Sequence, residues 1–234
     1  MIETKKMDIV YLVKDTQENE ELRYSLRTVQ DNFPHDRVFF VGGKPNGLEP
    51  DGLIMVSQDG FTKWDNTHKM IQAVCLCDEL SDDVVLFNDD FFVMKPVPGV
   101  EYYYEGMLSE KYAKLKQQFP NSPKYRSRLG NAIQMLHDKM YGTFNYEVHL
   151  PFVFNRKEML QLYKEFPYGS AMRSMYANRF NKGGVNTSDV KIYNDSQIIT
   201  GEETFLSTTD RSFKELKVGD RIRKAFPHKS IFEE

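Results

Sequence analysis

Cysteine is nearly missing from this chain of 234 residues: Cys75 and Cys77 are the only two. They stand two apart in a stretch that reads as a helix, so their side chains diverge and a mutual disulfide is not expected. Two thiols alone also make a poor zinc site. A reducing cytoplasm is therefore the expected compartment. Long apolar runs are lacking as well. None approaches the roughly 20 residues that span a membrane, and residues 1–6 are charged where a signal peptide would be apolar. Positive charge is not in excess, because 31 Lys and Arg stand against 34 Asp and Glu, for a net charge of −3. That balance argues against a strongly basic nucleic-acid binder, although it leaves room for a local basic patch. Internal repeats and low-complexity linkers are absent too, so residues 1–234 are expected to form one domain. With 40% hydrophobic and 28% charged residues, the composition is that of an ordinary globular chain able to bury one large core.

What is present is acidic charge set into an apolar run. Residues 84–93 read Val-Val-Leu-Phe-Asn-Asp-Asp-Phe-Phe-Val. Four apolar residues suited to a buried parallel strand lead into Asn88 and the adjacent carboxylates Asp89 and Asp90, and apolar residues resume at once. Two like charges side by side at a strand end cost free energy unless a cation or hydrogen-bond donors offset them. A hard divalent cation, Mg2+ or Mn2+, held through one or two carboxylates and shared with a substrate phosphate, is the economical explanation. A strand followed by a solvated acidic turn is the alternative.

The N-terminal half alternates strand and helix. Asp8–Val13 is a short apolar run that suits a buried first strand, and it ends in Lys14-Asp15 and a polar loop. Leu22, Leu26, Val29 and Phe33 recur at helical spacing, which predicts an amphipathic helix over 19–32 stopped by Pro34. Residues 37–41 form a second strand closed by Gly42-Gly43, and 53–56 a weaker third. Residues 67–80 read as a helix with Met70, Val74 and Cys77 on one stripe and Asp65 or Asn66 as its cap. This β-α-β-β-α-β order implies an α/β fold with a mainly parallel sheet flanked by helices. In such sheets ligands bind beyond the carboxyl ends of the strands, where both Asp15 and the acidic motif would lie.

The middle, 106–141, is polar and locally basic through Lys111, Lys114, Lys116, Lys124, Arg126 and Arg128, with Pro120 and Pro123 dividing it into two helices. A solvated helical face is the default reading and an acceptor-binding lid the functional one. Beyond it, 146–154 reads as a strand with a bend at Pro151, which would put Glu147 and His149 on one face. Helices are expected over 155–166 and 171–180, short strands over 189–193 and 204–207, and a small helix or turn over 218–226.

Several of these pieces resemble the successive conserved regions of the Stealth family. They are the 19–32 segment, the Asn88-Asp89-Asp90-Phe-Phe block and Glu147-Val-His149-Leu-Pro. That family includes bacterial capsular polysaccharide sugar-phosphate transferases and the animal enzyme that tags lysosomal glycoproteins with GlcNAc-1-phosphate. The likeness is greatest to short, phage-borne members described as glycosyltransferases. It extends through Lys63-Trp64-x-Asn66-Thr67, Arg173-Ser-x-Tyr176-x-Asn178, Gly183-Gly184, Asp189-Val-Lys191 and Phe205-Leu-Ser-Thr-x-Asp210-x-Ser212-Phe213, nearly the whole chain. The resemblance implies a GT-A-like, Rossmann-related fold with a helical insertion after the acidic motif, which would chelate a divalent cation on a nucleotide-sugar diphosphate. A phage-borne chain would work in the host cytoplasm. One departure concerns mechanism. The large members carry a glutamate, thought catalytic, in the helix before the acidic motif, whereas Gln72 stands near that position here and cannot act as a base.

Candidate roles follow from chemistry. Asp89 and Asp90 would hold the metal, with Asn88 orienting the ribose or the cation shell. Arg173 would clamp phosphate, which a leaving diphosphate needs, and Asn178 would share its face poorly. Asp15, Asn66 and Lys69 would line the nucleotide end. His149, aided by Glu147, would take a proton from the acceptor hydroxyl, since histidine titrates near working pH. Three functions are thus in view: a metal-dependent glycosyltransferase using a nucleotide sugar, a UDP-sugar by default; the Stealth reaction, in which sugar-1-phosphate moves; and a non-catalytic sugar- or partner-binding module. The acceptor would be a glycan, a protein or a modified DNA base.

Overall fold

The computed structural model describes residues 7–118, 123–167, 170–197 and 199–234. The first half contains β1 (Asp8–Val13), α1 (Glu20–Asn32), β2 (Val38–Gly42), β3 (Gly52–Met55), α2 (Lys63–Leu76), β4 (Asp83–Asn88) and β5 (Phe91–Val93). The middle contributes β6 (Tyr103–Tyr104), α3 (Leu108–Gln118), α4 (Pro123–Asp138), β7 (Phe152–Asn155), α5 (Arg156–Glu165) and α6 (Met172–Arg179). The last part adds β8 (Val185–Asn186), β9 (Lys191–Ile192), β10 (Phe205–Thr208), α7 (Asp210–Glu215) and α8 (Lys217–Ala225). Among the described residues no helix is long and apolar enough to cross a membrane.

The chain groups into two compact units. The first comprises Met1–Val100, His149–Arg156 and Val190–Glu234, and the second Glu101–Val148 and Lys157–Asp189. In the first, a five-stranded sheet runs β3-β2-β1-β4-β7, parallel throughout except for the antiparallel β7. The β-branched and aromatic residues of β1, β2 and β4 are almost wholly buried, as a central parallel sheet requires. β3 alternates half-buried and exposed residues, which suits an edge. α1 begins one residue inside the expected span, with Asn19 as its N-cap, and buries Leu22, Leu26 and Val29.

α2 corrects an expectation. It starts at Lys63, earlier than 67, and its cap is Thr62, whose hydroxyl and the Asp65 carboxylate form a reciprocal capping box. The apolar stripe begins only at Met70, so the polar first turns left no periodic trace. Cys75 lies within the helix and Cys77 is its C-cap; both are free thiols.

The apolar residues after the acidic motif enter a second sheet, ordered β5-β10-β9. One edge of β5 pairs with β10, and α1 serves the other through side chains one turn apart. Ser25 donates to the Phe91 carbonyl, Thr28 Oγ1 accepts the Val93 N–H at 3.0 Å, and Asn32 Nδ2 donates to the Val93 carbonyl at 2.8 Å. A helix thus stands in for a neighbouring strand, satisfying backbone groups that burial would otherwise leave unpaired. Phe92, Ile192, Leu206, Phe213, Val218 and Ile222 form the core between this sheet and α7 and α8. α7 was not anticipated, because six residues carry too little periodicity to read.

In the second unit α3 packs on α4 around Leu108, Leu129 and Leu136. Pro123 opens α4 as its first residue, where a missing N–H is harmless; Pro120 lies outside the described residues. The short ribbon β6-β8 closes this unit. Gly184 enters it at φ +126°, where a Cβ would stand 2.1 Å from the Tyr102 carbonyl oxygen, so only glycine fits.

The expected strand over 146–154 is a second correction, since only Phe152–Asn155 is extended. The Tyr146 N–H is taken by Ser174 Oγ at 3.0 Å and the Glu147 N–H by Asn145 Oδ1 at 3.1 Å. With those donors held by side chains and none on Pro151, no ladder forms there. The argument that Glu147 and His149 share a strand face therefore falls.

Candidate functional site

Asp89 and Asp90 form the tight turn by which the chain leaves β4 of the main sheet and enters β5 of the second. Each carboxylate is held by a residue far away in sequence. Asn19, while its Oδ1 caps α1 at the Leu22 N–H, donates through Nδ2 to Asp89 Oδ2 at 2.6 Å. Lys191, on β9, pairs with Asp90 Oδ2. The second oxygen, Asp90 Oδ1, is buried and has no hydrogen-bond partner.

More negative charge lies alongside. Glu21, in the first turn of α1, accepts a hydrogen bond from Thr208 Oγ1 at 2.5 Å. Burial, then the charges of Asp90, Asp89 and Asp210, push its carboxyl up to about 7 against the pull of Thr208. Asp89 is pushed up to about 6 by burial and by Asp90, with Asn19 opposing. Against these four carboxylates stands the buried ammonium of Lys191. The fit to a hard divalent cation is good: two carboxylates, one with a bare buried oxygen, sit in an environment that disfavours negative charge left unneutralised. Among the described residues no group of three or more His, Cys, Asp or Glu is placed to cage an ion by protein atoms alone, so substrate oxygens would have to complete its shell.

Other anticipated residues of this unit fall nearby or elsewhere. Asn88 is the last residue of β4 and pairs in register with Leu12. The rings of His149 and Phe91, the residue after Asp90, lie nearly perpendicular at a centroid separation of 6.3 Å. Asp15 is exposed on the loop after β1, beneath the close approach of Gly43, where a Cβ would lie 2.7 Å from the Asp15 Cα. Asn66 braces the loop before α2, accepting from the Gly60 N–H at 2.8 Å and donating to the Gln58 carbonyl at 3.2 Å. Lys69 pairs with the exposed Asp59. On α2, Gln72 Nε2 lies 3.2 Å from His68 Nε2.

Glu147, Arg173 and Asn178 belong to the second unit, where their contacts support chain geometry. Glu147 Oε1 accepts the Ser174 N–H at 3.0 Å, Arg173 Nη1 donates to the Val148 carbonyl at 2.7 Å, and Asn178 brackets Phe144, accepting from its N–H at 3.0 Å and donating to its carbonyl at 2.8 Å. Missing from the sequence-level site were Asn19, Glu21, Lys191 and Thr208. Signals for two of them were in view: Asn19 is a cap residue before an apolar stripe, and Lys191 closes the Asp189-Val-Lys191 pattern.

The mixed α/β architecture, a mainly parallel central sheet flanked by helices, is that of the GT-A glycosyltransferases. An active-site mutant of LgtC aligns with a TM-score of 0.52 over 97% of this chain and 98% of that one, at 12% identity. The galactosyltransferase LgtC in complex with donor and acceptor sugar analogs gives 0.49 with the same coverage and identity. The apo-form glycosyltransferase GlyE of Streptococcus pneumoniae TIGR4 gives 0.37 over 78% of this chain and 45% of that one, at 11% identity. At such identities the first likeness establishes the fold alone, and the other two carry no further weight. No family model and no curated protein matches the chain.

Proposed function

We propose that the protein is a metal-dependent glycosyltransferase that moves a sugar from a nucleotide sugar to an acceptor hydroxyl. The observation that carries this reading is the acidic turn at the carboxyl end of β4 in a GT-A fold, with Asp90 Oδ1 buried and bare. Asp89 and Asp90 are the residues to hold Mg2+ or Mn2+, which when bound supplies positive charge to the donor diphosphate as it leaves. Asn19 fixes the orientation of Asp89, and Asn88 leads into the turn toward the ribose. Asp15, with Asn66 and Lys69 shaping the loops beside it, forms the nucleotide end at the carboxyl edge of the sheet.

His149 accepts the proton of the acceptor hydroxyl as its oxygen bonds to the anomeric carbon and the bond from that carbon to the β-phosphate oxygen breaks. Glu147 and Arg173 act as supports. They fix 146–148 on α6, and the next residue along the chain is His149. Asn178 serves the same segment. Gln72, an amide engaged with His68 where the large Stealth proteins carry a glutamate, favours glycosyl transfer over transfer of sugar-1-phosphate.

The test is donor hydrolysis by the purified protein with a panel of nucleotide sugars and Mn2+, with products identified by mass spectrometry. Nucleoside diphosphate and free sugar support the proposal, and Asp90→Ala is expected to lower the rate by at least about a hundredfold. Nucleoside monophosphate with sugar-1-phosphate would establish the Stealth reaction instead. Absence of turnover with every donor, together with absence of metal-dependent donor binding, would leave a binding module.

A further inference from the structure

Lys191 is a strongly buried cation at the acidic turn. Its side chain is 9% exposed, and its carbonyl is pinned by Gln197 Nε2 at 2.8 Å, so its backbone is anchored while the ammonium reaches Asp90. A buried ammonium keeps an anionic partner, because desolvation without one is strongly unfavourable. The carboxylate it holds is also a proposed metal ligand. A divalent ion on Asp90 would stand within a few ångströms of Nζ, and like charges at that range repel strongly where water is scarce.

Resting on the transferase reading above, we propose that Lys191 is a built-in counter-ion that competes with the divalent cation for Asp90 and, once displaced, binds the phosphate oxygens of the donor. The ion and the diphosphate arrive together, so the released ammonium finds a new anion beside the old one. An ion alone strands Lys191, and a diphosphate alone meets an acidic cluster. Metal and donor therefore bind cooperatively, and the affinity of the free protein for the ion is low.

Three measurements test this, and each reads something other than turnover. Free Mn2+ followed by electron paramagnetic resonance, without nucleotide, is expected to show Lys191→Met binding the ion about tenfold or more tightly than the unsubstituted protein, as removal of a nearby positive charge requires. With Mn2+ saturating, calorimetry with UDP, GDP, CDP and ADP is expected to show weaker nucleotide binding by the variant. On the unsubstituted protein, reductive methylation read by mass spectrometry is expected to modify Lys191 poorly without ions and readily with Mn2+. One of the four nucleoside diphosphates should then protect it again. Equal Mn2+ affinity in the two proteins, or Lys191 unreactive while Mn2+ is demonstrably bound, would overturn the competition. Lack of protection by any nucleotide would overturn the phosphate role. Should Lys191→Met fold only when Mn2+ is supplied, the competition is supported; should it not fold at all, the methylation experiment decides. Absence of Mn2+ binding by either protein also overturns the inference, while donor turnover by the unsubstituted protein judges glycosyl transfer separately.

Discussion

Glu21 illustrates at the residue scale what the acidic cluster demands of its members. Burial raises its carboxyl to about 7, and neighbouring Asp90, Asp89 and Asp210 reinforce the shift while the Thr208 hydroxyl opposes it. The folded state therefore holds this proton more tightly than the unfolded chain, whose carboxyl titrates near 4.5. Stability attached to Glu21 is complete below that value and is lost as the pH climbs toward 7. Glu21→Gln, which keeps an oxygen for Thr208 and removes the charge, is expected to be more stable than the unsubstituted protein at about pH 8 and equal to it near about pH 4. Urea melts in divalent-free buffer at both values check this. A variant that is less stable at the higher pH would mean that the charged form of Glu21 is the one the fold requires.

At the scale of elements, α6 shows how a helix is started without a cap of its own. Ala171, at its N-cap position, sits in left-handed backbone at φ 57° and offers no side-chain bond. Glu147 supplies one from the preceding segment, placing an anion against the first-turn N–H groups, where the helix dipole favours it. Glu147→Ala is expected to cost about 1 kcal/mol, the loss of a cap, and Glu147→Gln less because the hydrogen bond survives. Thermal melts rank the two, and a Gln variant as damaged as the Ala variant would show that charge matters more than the bond. α2 ends by a related device: Arg156 donates to the carbonyls of Cys75 at 3.3 Å and Cys77 at 2.6 Å, oxygens that the end of a helix leaves open, and to that of Leu80 at 2.8 Å in the loop beyond. Both ends are closed by residues that local sequence does not associate with them.

Acid resistance belongs to the scale of the molecule. Near the chain end Phe232 is buried, and Glu233 pairs with Arg27 at 2.7 Å and Arg23 at 3.2 Å, tying 230–234 to α1. Burial alone would raise the Glu233 carboxyl, but Arg27, the Ser230 N–H and Arg23 together hold it down at about 2. Its contribution is present above the ordinary glutamate value near 4.5 and is lost as the pH falls toward 2. Glu233→Gln should lose about 3 kcal/mol at neutral pH, because Arg27 is left buried beside a neutral amide. It should lose little more on acidification. Denaturant melts carried from neutral pH down to about pH 2.5 compare the two slopes, and parallel slopes would remove Glu233 from the acid response.

The sequence by itself determined the parts whose signal is local. β1, α1 and β4 were legible because uninterrupted or 3.6-periodic apolar residues must be buried, and the acidic turn was legible as a candidate because two adjacent carboxylates interrupt an apolar run, although a solvated turn would read the same way. The mainly parallel α/β order followed from the spacing of those elements. Tertiary structure alone decided who serves the acidic turn. Lys191 meets Asp90 across 101 positions of chain, and Thr208 meets Glu21 across 187. It also decided that Glu147 is a helix cap and that 146–151 is not a strand. Those outcomes turn on which buried polar atom finds which partner, and such pairings depend on distances in the folded chain that no local periodicity encodes.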